Sequence, residues 1–255
     1  IYYDSSTPHG MIAVDGEDCA FYAFVLSNSA AREGEEAAAV ATPDTKFRAP
    51  DKQPRIYRKF IDRKVENGLL KEISFKGEEH FNFAFDVVDR FATEDSEKIA
   101  LVWCNDKGNE KILTFGQMAK NVNKTANVLK SLGIKKGDSV MLILRRRYEF
   151  WYMLLALHKI GAIAVPATVQ LLTSDIVYRI EKAHIKMIVA LNDEQVVEHI
   201  ENALEEFSTK PENLEKNPQL LLANGSKEGW IDFENQFEKA SETFTDVRCA
   251  ENYDT

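Results

Sequence analysis

Residues 56–255 carry two alternating hydrophobic patterns: short runs of consecutive apolar residues, and longer stretches in which apolar residues recur every three or four positions. The short runs, such as SVMLIL and KMIVAL, predict strands that are buried on both faces. The longer stretches predict amphipathic helices. Strands that alternate with helices in this way form βαβ crossovers, so the predicted fold class is α/β with a mostly parallel sheet.

Capping residues and turns set the predicted boundaries. Thr114 and Gln117 fit a capping box, in which each side chain bonds a free N–H of the first helical turn, and Gly133 fits a left-handed C-cap. The predicted strands are 98–106, 110–115, 139–144, 162–165 and 186–191. The predicted helices are about 82–93, 115–132, 148–160, 173–183 and 193–207. The helix over 148–160 is apolar nearly all round, which predicts deep burial.

The stretch AIAVPATVQLLTS contains the first candidate for a ligand-binding residue. Pro166 fixes φ and is expected to stop the strand 162–165, so that the following loop emerges at the carboxyl end of a parallel strand. Ligands bind at that edge of open α/β sheets. Gln170, in this loop, can both donate and accept hydrogen bonds, which suits an amide-bearing ligand or the edge of a nucleotide. The alternative is a solvated loop amide.

The first 55 residues differ from the rest of the chain. Residues 1–27 are short aromatic and β-branched runs divided by turn residues, a pattern that predicts strands, and Asp15-Gly16 is a hairpin signal. Residues 28–55 lack large apolar side chains and are predicted to be a linker. The chain begins at Ile1 and shows no terminating signal near Thr255, so we expect a piece cut at both ends.

Charge and cysteine usage narrow the class of protein. The net charge of -9 argues against direct nucleic-acid binding, which needs a basic face. Residues 192–255 hold 16 acidic and 5 basic side chains, which predicts solvated helix faces rather than an acidic interaction tail. The three cysteines are far apart, which fits reduced thiols in a cytoplasmic protein. No apolar run reaches the length of a membrane span.

Motifs for catalysis and metal binding are absent from the sequence. It contains no GxGxxG, GxxxxGK[ST], GxSxG or HExxH pattern, and its histidines are scattered. Arg145, Arg146 and Arg147 could receive phosphates or could form a solvated or ion-paired start of a helix. Arg179 lies four residues after Asp175 and is predicted to be structural. Trp103, Trp151 and Trp230 are predicted to be core or half-buried packing residues.

Two longer stretches carry a family resemblance. TFGQMAKNVNKTANVLKSLGIKKGDSVMLIL and LHKIGAIAVPATVQLLTSDIVYRI resemble the first two core motif regions of AMP-forming acyl-CoA synthetases, which belong to the adenylate-forming superfamily. DVVDRFA, ALVWCNDKGNE and PATVQLLTSDIVYR resemble the medium-chain branch of that family. The resemblance covers residues 56–255 and implies a truncated N-terminal subdomain of a ligase.

The resemblance also implies an activity and its cofactors. The parent protein would be an acid–thiol ligase that activates a carboxylic acid with ATP and Mg²⁺ to an acyl-adenylate and transfers the acyl group to coenzyme A. The position of Gln170 would contribute to the coenzyme A site. The family's phosphate loop, magnesium ligand and adenylating lysine come later in the chain, so we expect no catalytic or metal residue here and no ligase activity from residues 1–255 alone.

A second resemblance concerns residues 1–27, which are similar to the last strands of a cupin barrel; within PHG, His9 occupies the position of a cupin metal ligand. The other cupin ligands are not in the sequence, so no metal site is expected. This resemblance implies an alternative function, a ligand-sensing transcriptional regulator fused to a ligase-like domain, with a helix-turn-helix upstream. A third alternative keeps the superfamily and changes the acceptor, as in peptide-synthetase adenylation domains or luciferase-like oxygenases.

Overall fold

The computed structural model describes residues 61–67, 69–76, 81–105, 108–213 and 216–245. The predicted cupin-like strands and linker, with His9, lie outside these ranges. The chain divides into two compact units, one of which comprises Pro54–Leu101 and Ile112–Thr255. The other unit comprises Ile1–Gln53 and Val102–Lys111, and its described part is the tip of a hairpin.

The helices and strands of the described residues follow in this order. The strands are β1 (Ile61–Glu66), β2 (Leu69–Phe75), β3 (Ile99–Cys104), β4 (Glu110–Thr114), β5 (Ser139–Ile143), β6 (Ile163–Pro166), β7 (Ile185–Ala190), β8 (Gln219–Leu222) and β9 (Ile231–Asp232). The α-helices are α1 (Arg90–Glu94), α2 (Phe115–Ser131), α3 (Glu149–Ile160), α4 (Thr173–Ala183), α5 (Glu194–Ser208) and α6 (Phe233–Lys239). A π-helix (Ala84–Asp89) leads into α1, and a 3₁₀ turn (Pro211–Asn213) follows α5.

A parallel sheet of five strands forms the centre of the larger unit, with the order β6-β5-β7-β8-β9. Every pairing in this sheet is parallel, and β5 pairs with both β6 and β7. The prediction of an α/β fold with a mostly parallel sheet is therefore confirmed. Two separate two-stranded sheets, β1-β2 and β3-β4, account for the other strands among the described residues.

Strand β5 shows why the apolar runs do not alternate with polar residues. Val140 and Leu142 belong to a core cluster that also includes apolar side chains of α2, α3 and α6. Met141 and Ile143 belong to a second cluster, which is completed by α4 and α5. Successive side chains of a strand point to opposite faces, so a sheet covered by helices on both faces needs apolar residues at every position.

The predicted capping of α2 is confirmed. The Thr114 N–H donates to Oε1 of Gln117 (3.0 Å), and the Gln117 N–H donates to Oγ1 of Thr114 (3.3 Å). Gly133 follows the helix with φ of +86°, the left-handed conformation expected at this end. Helix α4 has the predicted bounds, and between β3 and β4 the Asn105 N–H donates to the Asn109 carbonyl (3.0 Å).

Several predictions need correction. The helix predicted over 82–93 begins as a π-helix. Pro166 is the last residue of β6 instead of the first residue beyond it, which an edge strand tolerates because one side of its backbone has no pairing strand. Trp151 is 39% exposed and is not a core residue. By contrast, the structural role predicted for Arg179 agrees with the structure, since its guanidinium donates to the backbone carbonyl of Asp175 (3.0 Å) within α4.

Four strands and one helix were not predicted from the sequence: β1, β2, β8, β9 and α6. Every residue of β2 and all but the first residue of β1 are exposed, so this hairpin buries no face, although Leu69, Ile73 and Phe75 lie on the same side of β2. Strands β8 and β9 are too short to establish a period of their own. No helix within the described ranges is long and apolar enough to cross a membrane.

Helix α3 is buried as predicted, but it carries two buried charges. Glu149 and Lys159 are 3% and 4% exposed. The Lys159 ammonium donates to both carboxylate oxygens of Asp89 (2.6 and 2.7 Å) and to Oδ1 of Asn123 (2.7 Å). Burial lowers the pKa of Lys159 and raises the pKa of Asp89, while the attraction between the two groups opposes both shifts.

We predict that Lys159→Met lowers the free energy of unfolding by about 3–5 kcal/mol, because it leaves the Asp89 carboxylate without its buried partner. Urea unfolding of the 255-residue chain measures this loss. Lys182→Met is the matched control, since Lys182 is exposed on α4 and its substitution should change stability by less than about 0.5 kcal/mol. Equal losses in the two variants would contradict the assignment of Lys159 as a buried ion-pair partner.

Candidate functional site

The carboxyl ends of β5 and β7 mark a topological switch point. The chain leaves β5 into α3, which packs on one face of the sheet, and leaves β7 into α5, which packs on the other face. The two strands stay paired to their ends, because the Leu191 N–H donates to the carbonyl of Ile143 (3.2 Å). Ligands of open α/β sheets bind at such points. We call the loops here, residues 144–149, 167–172, 191–193 and 223–229, the carboxyl-edge site.

The loop after β5 contains the three predicted arginines, and they differ in role. Arg147 forms a bidentate ion pair with Glu149, with Nε to Oε2 at 2.9 Å and Nη2 to Oε1 at 2.5 Å. Its charge therefore serves to neutralise a buried carboxylate. Arg145 and Arg146 are exposed, and Arg145 adopts the left-handed conformation with φ of +53°. A non-glycine residue in this region is uncommon and is often found at functional sites.

The ion pair between Arg147 and Glu149 also affects the pKa of the neighbouring Tyr148 hydroxyl. Burial is the first cause that raises the pKa of this phenol to about 12, and the negative charge of Glu149 adds to the rise. Tyr148 is therefore neutral at physiological pH. It can donate a hydrogen bond but has no tendency to act as a base.

The loop after β6 presents Gln170 to solvent. Its backbone N–H donates to Oγ1 of Thr168 (3.3 Å), and the residue is exposed. On its C-terminal side, Leu171 is buried and its carbonyl accepts a hydrogen bond from Nδ1 of His199 (2.9 Å). The Leu172 N–H donates to the Asp175 carboxylate (3.1 Å). The backbone around Gln170 is thus held on both sides, while its own side chain is accessible to a ligand.

The loops after β7 and β8 are joined by a hydrogen bond between two asparagines, which the sequence analysis did not predict. The Asn192 N–H donates to Oδ1 of Asn224 (3.0 Å). Gly225 has φ of +76°, and a Cβ at this position would lie 2.9 Å from Nδ2 of Asn192. The positive φ favours glycine here, and a larger residue would also require the end of the Asn192 side chain to move. The Asn224-Gly225 pair directly after the apolar run QLLLA is the signal that could have revealed this turn.

The described residues contain no group of three or more His, Cys, Asp or Glu side chains that could hold a metal ion.

Two surface clefts of about 580 and 510 Å³ lie along α5, and neither is lined by Gln170 or by the three arginines Arg145, Arg146 and Arg147. Several acidic side chains along them, such as Glu198 and Glu205, are exposed, as predicted for this acidic part of the chain. Burial lowers the pKa of His158, which therefore favours its neutral form. The carboxyl-edge site offers hydrogen-bonding and cationic side chains on loops at the edge of the sheet.

Comparisons with known proteins identify relatives of this chain. Residues 88–250 match the family profile described as AMP-binding enzyme. The chain is 33% identical over 171 residues to human acyl-coenzyme A synthetase ACSM2A, mitochondrial, a match that covers 64% of this chain and 28% of that protein. It is 32% identical over 182 residues to human acyl-coenzyme A synthetase ACSM3, mitochondrial, covering 68% of this chain and 29% of the relative.

Solved structures show the same fold. An acyl-CoA synthetase from Brucella canis is similar with a TM-score of 0.53 and 23% identity, over 66% of this chain and 29% of that chain. The anthranilate CoA ligase AuaEII, solved in complex with anthranoyl-AMP, is similar with a TM-score of 0.54 and 22% identity, over 66% of this chain and 30% of the other. The chain therefore spans less than a third of the length of these relatives.

We predict that Gly225→Ala destabilises the protein more than Gly229→Ala. Both glycines have positive φ, so alanine at either position costs on the order of 1 kcal/mol of conformational strain. A Cβ at Gly225 also meets the Asn192 amide, whereas nothing lies within 4 Å of a Cβ at Gly229. Urea unfolding of both variants isolates the contact, and equal losses would show that the Asn192 amide moves aside without cost.

Proposed function

The chain belongs to the AMP-binding enzyme family, and from this premise we propose that it forms the N-terminal α/β part of an AMP-forming acyl-CoA synthetase. The whole enzyme activates a carboxylic acid with ATP to an acyl-adenylate and then transfers the acyl group to coenzyme A. The observation that carries the proposal is the family match over residues 88–250, which includes all five strands of the parallel sheet. The names of the relatives support acyl-CoA synthesis as the reaction.

The described residues fit some of the expected cofactors and not others. They contain no cluster of acidic side chains or histidines that suits Mg²⁺. The sequence has no glycine-rich loop that could hold a triphosphate by backbone N–H groups. We therefore assign no step of adenylate formation to these residues, and Mg²⁺ and ATP are expected to be bound mainly by other parts of the enzyme.

Coenzyme A fits the carboxyl-edge site better. Its pantetheine arm contains amides, which a glutamine side chain can bind both as donor and as acceptor. The accessible side chain of Gln170, on a loop whose backbone is fixed on both sides, supports the proposal that it binds this arm. The exposed Arg145 and Arg146 are candidates for the phosphate groups. Arg147 is not a candidate, since Glu149 occupies its guanidinium.

Other expectations remain predictions. The human relatives are designated mitochondrial, so the location in the cytoplasm has no support from them. The regulatory alternative depends on residues 1–27 and on an upstream helix-turn-helix, and none of the described residues bears on it. The family match over residues 88–250 is compatible with both, because the alternative also contains a ligase-like domain.

We predict that the natural polypeptide carrying this chain forms acyl-CoA and AMP when it is given ATP, Mg²⁺, coenzyme A and a carboxylic acid. Mass spectrometry of the products, over a panel of straight-chain and aromatic acids, measures this activity. The 255-residue chain alone is the control and should be inactive, because it lacks a glycine-rich phosphate loop. AMP release by the chain alone would refute that part of the proposal, and no product from the natural polypeptide with any acid would refute the activity.

We predict that Gln170→Ala in the natural polypeptide raises the KM for coenzyme A about five- to tenfold, the effect of about one lost hydrogen bond to a ligand. Adenylate formation, followed as ATP–pyrophosphate exchange, should stay unchanged, because coenzyme A takes no part in that step. Gln195→Ala is the matched control, since Gln195 is an exposed glutamine on α5. An unchanged KM for coenzyme A would remove Gln170 from the site.

A further inference from the structure

The segment after α6, residues 240–245, is held against α2 in an unusual way, and we call it the strap. The α2 side chains bind its backbone carbonyls. Asn123 Nδ2 donates to the carbonyl of Glu242 (2.9 Å), and Asn127 Nδ2 donates to the carbonyls of Ser241 and Thr243 (2.9 Å each). The helix therefore recognises the strap mainly through backbone groups that every sequence possesses.

Further contacts of the strap involve charged side chains. Lys120 pairs with the carboxylate of Glu242 at 3.0 Å, with both side chains more than half exposed, so this pair contributes little. Lys130 lies over the ring of Phe244 at 5.7 Å, and Lys159 lies over the same ring at 6.0 Å. The ring of Phe244 is half-buried against the core, whereas most of the strap is exposed.

The buried Lys159 ammonium determines which way the Asn123 amide points. An ammonium has three donors and no acceptor, so the atom of Asn123 that faces it at 2.7 Å must be the carbonyl oxygen. The amide NH₂ is then forced to the opposite side, where it meets the carbonyl of Glu242. The other two donors of Lys159 bind Asp89, so the ammonium is fully satisfied in this arrangement.

We propose that Asn123 is a positioning residue that couples the buried Lys159–Asp89 pair to the strap, and that the strap can be released from α2 while the core stays folded. The chain of contacts runs from the Asp89 carboxylate through the Lys159 ammonium and the Asn123 amide to the Glu242 carbonyl. The contacts of the strap with Asn123 and Asn127 are solvent-exposed hydrogen bonds, and of its side chains only those of Ala240 and Phe244 pack, partly buried, against an apolar cluster. This inference does not rest on the ligase activity.

The test is Asn123→Asp in the 255-residue chain. An aspartate keeps an oxygen facing Lys159, so the ammonium retains all three acceptors, and the added negative charge lies at a half-buried position next to that ammonium. Its second oxygen faces the Glu242 carbonyl and cannot donate, so one strap contact is lost. Limited proteolysis with a glutamate-specific protease, with the cut after Glu242 identified by mass, should proceed roughly fivefold faster, the change expected for one hydrogen bond. The melting temperature should stay close to that of the unmodified protein.

Two further variants complete the experiment. Asn121→Asp introduces the same charge on the same helix, where Asn121 binds the Tyr152 hydroxyl instead of the strap, and should leave the cut after Glu242 unchanged. Asn127→Asp removes the donor for two strap carbonyls and should release the strap at least as much as Asn123→Asp. An unchanged cleavage rate in Asn123→Asp, or an equal increase in Asn121→Asp, would overturn the proposal, as would a fall in melting temperature that accounts for the faster cleavage.

Discussion

The buried ammonium of Lys159 is the constraint on which one face of this fold depends. A lysine in an apolar environment needs acceptors for its protons, and here they come from Asp89 at the end of the π-helix and from Asn123 on α2. The π-helix and α2 are thereby both attached to the C-terminal end of α3. Apolar packing alone is non-directional, whereas these hydrogen bonds permit one arrangement of the segments.

The other end of α3 is fixed by the same kind of interaction. Glu149 is buried in the first turn and is neutralised by the guanidinium of Arg147, which lies two residues before it. The two ion pairs leave the middle of the helix to apolar packing on the sheet. The pair at the start also fixes the loop in which Arg145 adopts its left-handed conformation. The charges of α3 therefore stabilise the fold at one end and shape the carboxyl-edge site at the other.

The sequence predicted what depends on local pattern and missed what depends on partners distant in sequence. Helix α4 was predicted with its observed bounds because its apolar positions have a clear period. The π-helix was missed because its extra residue per turn leaves the same apolar pattern as an α-helix over so short a stretch. Gln170 was placed correctly on a loop at the carboxyl edge, since Pro166 and the apolar run before it mark the end of a strand.

The contacts of Lys159, Asn123 and Gly225 could not be predicted in this way. Lysine and asparagine are normally read as surface residues, and no local signal shows that residues 70 and 36 positions away provide the partners of an ammonium. The close approach of Gly225 to Nδ2 of Asn192 involves a side chain on a neighbouring loop. In each case the missing information is the packing of segments against one another.

The distribution of charge also separates cations that stabilise the fold from cations on exposed loops. Phosphoryl and adenylyl transfer require cationic groups directed at the developing negative charge. Among the described residues, the guanidinium of Arg147 already neutralises Glu149, and the ammonium of Lys159 already neutralises Asp89. Both cations are committed to buried carboxylates, and neither can move to a substrate without leaving an unpaired charge in the core. In the proposed ligase these two cations therefore serve the fold, whereas the exposed loops of the carboxyl-edge site carry Gln170 and Arg145.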